Sequence, residues 1–234
     1  MKIIGITGGV GAGKSTVLQI MRQDYHAYIV EADRLAEQLM EPGTRLYQRI
    51  LEYFQGYLED QNQNKPDQYD HDRTGQAKEE YNREEYNKKD RSGDTLILPD
   101  GQLNRPLIAR LIFSDPEALA SLNQMVHPAV KEAICSDIEA RRGKEPIYLI
   151  EAALLIEDGY DAICDELWYI YADPKVRIAR LMASRNYSED KCLRIMDNQA
   201  SDDYYRAHTR YTIDNTGTME DTRAQIRKIL PKSF

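Results

Sequence analysis

Eight residues near the N-terminus, Gly8-Gly9-Val10-Gly11-Ala12-Gly13-Lys14-Ser15, match G-x-x-x-x-G-K-[ST] at every fixed position. Glycines allow successive backbone N–H groups to turn toward one point, and a helix starting there adds the positive end of its dipole. The result is a cradle for phosphate oxygens. Lys14 would reach the β- and γ-phosphates of ATP, and the Ser15 hydroxyl would ligate Mg²⁺. With glycine at about 7% of residues, a chance match is on the order of 1% or less. The alternative is a Gly-rich turn that binds nothing. The motif points to a ligand without naming the reaction, because GTPases, ATPase motors and small-molecule kinases all share it.

Other residues could complete the chemistry. Glu31-Ala32-Asp33-Arg34 falls where a second apolar run gives way to a helical pattern. Carboxyl ends of parallel strands face the ligand crevice, so Asp33 could accept a proton from an attacking hydroxyl. It could equally cap its helix, and Glu31 reads as a solvated strand-end charge. Ile147–Glu151 is an apolar run ending in a carboxylate, which would suit metal or water ligation in an ATPase. Arg177, Arg180 and Arg185 punctuate a late helical segment, with Arg177 and Arg180 three apart on one face. Arginines on a mobile segment can neutralise a migrating phosphoryl group and exclude water. They can also be ordinary surface charges. Arg194 and Gln199 belong to the pattern of a returning helix and could equally be surface residues.

The elements that must hold these groups alternate. Lys2–Thr7 reads as a buried parallel strand, followed by a helix over 15–23 with Val17, Leu18, Ile20 and Met21 at helical spacing. A second strand covers 27–30, then helices run from Asp33 to before Pro42 and over 44–54. From about Tyr57 to Asp94 almost no aliphatic residue occurs, so this stretch is expected to be a flexible or hairpin-like insertion. Asn104-Arg105-Pro106, Asp115-Pro116 and Pro128 each mark a helix start, the third helix ending near Gly143. Strands return at 147–150, 166–171 and 211–213, with helices at 174–185 and 219–230. Strand–helix alternation at both ends with helices between implies a parallel sheet interrupted by a helical excursion. A chain of this length with an Arg-rich late helix fits a kinase better than a motor.

The 234 residues carry a net charge of -8, which argues against a nucleic-acid partner. The three cysteines, Cys135, Cys164 and Cys192, are far apart and do not cluster with the four His, against a zinc site and in favour of reduced thiols. The opening MKIIGITGG leads into Lys14, unlike a secretory signal, and no run reaches the ~18 apolar residues of a membrane helix. A cytoplasmic protein with no membrane partner is expected; the oligomeric state is not legible.

Taken in order, ITGGVGAGKSTV, EADRLAEQLMEPG, DGQLNR, FSDPEALASLNQMVHPAV, EAALLIEDGYD, the Arg-rich helix with Gln199, and TIDNTG resemble the dephospho-CoA kinase family over nearly the whole chain except about 57–95. The resemblance implies an α/β fold like that of nucleoside monophosphate kinases: a three-layer αβα P-loop core around a parallel sheet, a helical substrate domain and a lid. On that pattern the core is 1–32 and 145–234, with the lid at about 184–206, and the CoA-binding domain is 33–144, containing the insertion. The implied activity is ATP-dependent phosphorylation of the ribose 3′-hydroxyl of dephospho-CoA, with Mg²⁺. Carried over by position, Gly9, Gly11, Ala12, Gly13, Lys14, Ser15 and Thr16 bind ATP, Asp33 is the base, and Arg180 is the lid-side arginine. Arg105 and His127 fall among the CoA-binding residues, and Leu154, Leu155 and Glu157 match a Leu-Leu-x-Glu segment. Read without the family, His127 is a helix-entry packing residue, Arg105 pairs with a local carboxylate such as Asp100, and Leu154 and Leu155 are core. Three features depart from the pattern. Glu31 stands where Asp is usual, Arg180 and Arg185 are one residue further apart than R-x-x-x-R, and the insertion has no counterpart.

Overall fold

Lys2–Thr7 (β1) is apolar on both faces because it becomes the centre of a five-stranded sheet. A computed structural model describes residues 1–63 and 95–230. The other strands are Tyr28–Glu31 (β2), Ile147–Glu151 (β3), Glu166–Tyr171 (β4) and Tyr211–Asp214 (β5). All pairings are parallel, in the order β2-β3-β1-β4-β5. The chain leaves β1 toward β2 on one side and later passes to β4 on the other. The crevice at the carboxyl end of β1 is therefore a topological switch point, where open α/β sheets bind ligands.

Alternation along the strands sends Ile4, Ile6, Ile147, Leu149, Trp168, Ile170 and Ile213 to one face. There they meet Val17, Ile20 and Met21 of Lys14–Tyr25 (α1) and Ile226 of the closing helix Met219–Ile229. The opposite face is covered as well. A Cβ on Gly5 would lie 2.6 Å from Leu167 and 3.0 Å from both Cys164 and Leu155, so a side chain there would force Leu167 to shift. Tyr205 stacks on Tyr169 with ring centroids 4.7 Å apart, and Asp137 accepts a 2.9 Å hydrogen bond from Tyr148. Helices on both faces give the expected three layers.

Among the described residues the remaining helices, in chain order after α1, are Ala32–Leu39 (α2), Arg45–Gln63 (α3), Arg105–Ser114 (α4), Pro116–Arg141 (α5), Pro174–Arg185 (α6), Glu189–Asp197 (α7), Asp202–His208 (α8) and Met219–Ile229 (α9). Two of them differ from the sequence-based expectation. Helix α3 runs nine residues past Phe54, through the start of the expected insertion. Tyr57 and Leu58 pack against the cluster of Leu46, Tyr47, Ile50 and Phe54, and the Tyr57 hydroxyl donates to Asp115 at 2.8 Å. A few apolar anchors were enough to extend a helix whose composition is mostly polar. The rest of the insertion lies outside the described residues.

The second difference concerns Pro128, which does not open a helix but sits inside α5. A proline there removes one backbone bond and costs about 3 kcal/mol. Apolar residues on both sides, Met125 before it and Val130, Ile134 and Ile138 after it, are buried and hold the helix through the break. Asn104 and Asp115 cap as expected, accepting from the Leu107 N–H and from the Glu117 and Ala118 N–H groups.

The chain divides into two compact units, Met1–Ala36 with Val130–Phe234, and Glu37–Ala129. The first contains the sheet. The second is helical, and its core includes Phe54, Leu96, Leu103, Leu107, Ile108 and Met125. The boundary falls at 129/130, just after Pro128. Asp137 and Arg141 in the second half of α5 bind Tyr148 and Tyr28 of the sheet, so that half belongs with the strands.

Candidate active site

The glycine-rich loop joins the end of β1 to α1, and Gly13 is the residue at the helix start, in the left-handed region at φ 85°. Gly11 is also left-handed, at φ 77°. An L side chain is strained at either position. Lys14 Nζ donates to the Gly8 carbonyl at 2.9 Å and lies 3.4 Å from Glu151 Oε1. Ser15 is exposed on the first turn, and Thr16 N–H bonds the Gly13 carbonyl at 3.0 Å.

Glu151 ends β3 in register with Glu31 of β2 and Ile6 of β1, which places it beside the loop. Burial pushes its carboxyl above the usual glutamate range. Lys14 opposes that shift, while the nearby charges of Asp33 and Glu31 add to it. Lys14, Asp33 and Glu151 thus belong to one electrostatic cluster at the carboxyl ends of β1, β2 and β3. Asp33 is exposed in the first turn of α2, one residue inside the helix that begins at Ala32, and Glu31 pairs with Arg34 at 3.2 Å.

On the other side of the loop stands α6. Its N-terminus is built by Asp173, which caps Lys175 N–H, and by Pro174 in the first turn. That start aims Arg177 and Arg180 at the loop. Arg177, almost fully buried, donates from Nε to the Val10 carbonyl at 2.9 Å and from Nη2 to Gln199 Oε1 at 2.5 Å. Gln199 Oε1 also accepts from Val10 N–H at 3.2 Å. Arg180 donates to the carbonyls of Ala12 (3.3 Å) and Asn215 (2.8 Å). Arg185, the last residue of α6, and Arg194 on α7 are exposed.

Several expectations are revised here. Gln199 lies in the turn after α7 rather than on it, and reaches the loop because α7 ends at Asp197. Leu155 is fully buried, but Leu154 is half exposed, since the chain turns between them and only one can face the sheet. Arg105 pairs with Glu37 at 3.7 Å rather than with Asp100, whose carboxylate instead accepts from Gln102 N–H. His127 lies mid-helix in α5, not at a helix entry. Both Arg105 and His127 belong to the helical unit, whereas the loop, Asp33 and Arg180 belong to the sheet unit.

Sequence reasoning gave no site role to Asn215 or Thr222, which contact the loop or its supports, and it considered Arg177 only as a charge for the migrating phosphate, not as a tie to the Val10 carbonyl. Asn215 sits inside the TIDNTG segment, but only its position in space shows what it touches. All three cysteines are free, and burial pushes the Cys164 thiol up to about 12, which keeps it protonated and unreactive near neutral pH. Among the described residues no group of three or more His, Cys, Asp or Glu could hold a metal ion, and no helix is long and apolar enough to cross a membrane.

The family model described as dephospho-CoA kinase matches residues 2–65 and 62–221. The dephospho-CoA kinase of Geobacter sulfurreducens is 30% identical over 100% of both chains, and that of Moorella thermoacetica is 31% identical over 97% of this chain and 90% of its own. Among solved structures, the dephospho-CoA kinase from Campylobacter jejuni superposes with a TM-score of 0.61 at 18% identity, covering 98% of this chain and 96% of its own. At that identity the likeness speaks for the fold. The matches extend through the helical unit as well as the phosphate loop, and on that ground the chain belongs to the dephospho-CoA kinase family.

Proposed function

We infer that the protein transfers the γ-phosphoryl group of ATP to the ribose 3′-hydroxyl of dephospho-CoA, giving coenzyme A and ADP. The observation that carries this is full-length similarity to dephospho-CoA kinases, including the segments outside the phosphate loop. In the reaction a bond forms between the ribose oxygen and the γ-phosphorus, and the bond from that phosphorus to the β–γ bridging oxygen breaks. The hydroxyl proton passes to Asp33, which is exposed in the first turn of α2.

Lys14 is already paired with a carboxylate and a carbonyl, and it exchanges these for phosphate oxygens when ATP enters. Arg180 likewise leaves backbone carbonyls to meet the charge that spreads over the transferring group. Magnesium fits the donor set. Ser15 offers one hydroxyl at the start of α1, with no metal-holding group of carboxylates among the described residues, which suits an ion that keeps several waters and binds mainly phosphate. Bound there, it would neutralise charge between the β- and γ-phosphates. Arg105 and His127 are assigned to dephospho-CoA on the helical unit.

A coupled assay of ADP release, run with dephospho-CoA beside AMP, CMP, UMP and a nucleoside panel, tests the assignment. Release with dephospho-CoA alone is expected. Equal or greater release with a nucleotide would reassign the acceptor, and ATP binding without acceptor-dependent release would remove the kinase reading.

A further inference from the structure

We propose that Asn215, held by Thr222, is a positioning residue that orients the phosphate loop from its outer side. This rests on the reading of that loop as the ATP site. Asn215 follows β5 and is 2% exposed; Thr222, on α9, is fully buried. The Asn215 side-chain amide donates to the Ala12 carbonyl at 2.8 Å and more weakly to that of Gly13 at 3.3 Å. Its side-chain oxygen accepts from the Thr222 hydroxyl at 2.8 Å, which fixes which end of the amide faces the loop. Its backbone is tied down too, with N–H donating to the Tyr171 carbonyl at the end of β4 and C=O accepting from Arg180.

The consequence follows from peptide geometry. In a trans peptide the C=O and N–H point in opposite directions. A hydrogen bond that holds the Ala12 carbonyl outward therefore turns the Gly13 N–H inward, where a phosphate oxygen would sit. That carbonyl has a second donor in Arg180, at 3.3 Å. When Arg180 moves to the transferring phosphate, Asn215 is left to hold the peptide. Gly13 makes room for this. A Cβ at that position would lie on top of the Asn215 amide nitrogen, so glycine is required for access as well as for its left-handed backbone. The chain thus couples the last strand and last helix to an amide more than two hundred residues earlier.

The role predicts an effect on nucleotide without an equal effect on acceptor. Asn215→Asp keeps the shape but replaces the donor with an oxygen facing the Ala12 carbonyl. Thr222→Val removes the hydroxyl that orients the amide, and Thr222→Ser retains it. Loss of one buried hydrogen bond corresponds to roughly tenfold in affinity. Both Asn215→Asp and Thr222→Val should therefore raise KM for ATP by about tenfold or more, leave KM for dephospho-CoA near the wild-type value, and spare the Thr222→Ser protein. Amide NMR gives a second readout. On adding ATP and magnesium to the wild type, the Gly13 N–H should shift strongly downfield as it bonds phosphate; the shift should shrink in Asn215→Asp and Thr222→Val and persist in Thr222→Ser. If Asn215→Asp does not fold, Thr222→Val carries the test alone. Wild-type KM for ATP and an undiminished Gly13 shift in the folded variants would overturn the proposal. A wild-type protein with no ATP affinity would overturn the phosphate-loop reading itself, and the proposal with it.

Discussion

Lys14 sits between two demands: it lies beside the largely buried Glu151 carboxylate, and in the proposed reaction it would turn to phosphate oxygens when ATP arrives. Replacing it with Ala should lower turnover by at least 10²–10³-fold, on the order of the loss of one preorganised charge contact, measured as kcat for ADP release. The same variant has a signature in stability. Burial raises the folded-state pKa of Glu151 above its unfolded value, so its contribution to stability is greatest at low pH and is lost as pH rises through the raised value. Lys14 limits that loss. The Lys14→Ala protein should therefore be close to wild type in denaturant midpoint at a pH where Glu151 is protonated, and fall behind as pH climbs toward 8. A constant gap across pH would show that Lys14 does not offset the Glu151 charge. Asp33 makes a simpler case. Asp33→Asn removes the proposed proton acceptor and should lower kcat by roughly 10²–10⁴-fold with little change in ATP affinity. Unchanged kcat would take Asp33 out of the mechanism.

Helix α3 shows how composition misleads at the level of elements. Counting polar residues from Tyr57 onward suggests a loop, yet Tyr57 and Leu58 continue the apolar stripe of Leu46, Ile50, Tyr53 and Phe54 and keep the helix going to Gln63. Phe54 is the centre of that stripe, fully buried and edge-on to Tyr53 at 5.0 Å. Phe54→Ala should cost about 3–5 kcal/mol of stability, read as a lower midpoint in a far-UV circular dichroism melt. A change below about 1 kcal/mol would mean the site collapses around the cavity. Helix α5 carries the opposite lesson. Pro128 is a strong local stop signal, and tertiary burial on both sides of it outweighs the lost backbone bond.

At the scale of the molecule, one tryptophan reports on the sheet unit. Trp168 is fully buried in the cluster that also holds Val17, Ile20 and Met21 of the phosphate-loop helix. ATP with magnesium at about a hundredfold its dissociation constant should stabilise the folded state by about 2.7 kcal/mol, seen as a higher midpoint in the Trp168 fluorescence transition. No shift under saturating ATP would mean that nucleotide does not bind the native state. Much of this molecule was legible beforehand, and the reason is local. Strands buried on both faces read as unbroken apolar runs, caps and prolines mark helix starts, and a phosphate loop is built from consecutive residues. Its glycines, Lys14 and Ser15 could thus be picked out as candidates from spacing alone. Contacts such as Arg177 with Val10 and Gln199, or Asn215 with Ala12 and Thr222, join residues separated by 7 to 203 positions. No periodicity encodes a pairing of that kind. It exists only once β4, β5 and α6 pack beside β1, because buried donors and acceptors must then find partners among whatever the fold brings within reach.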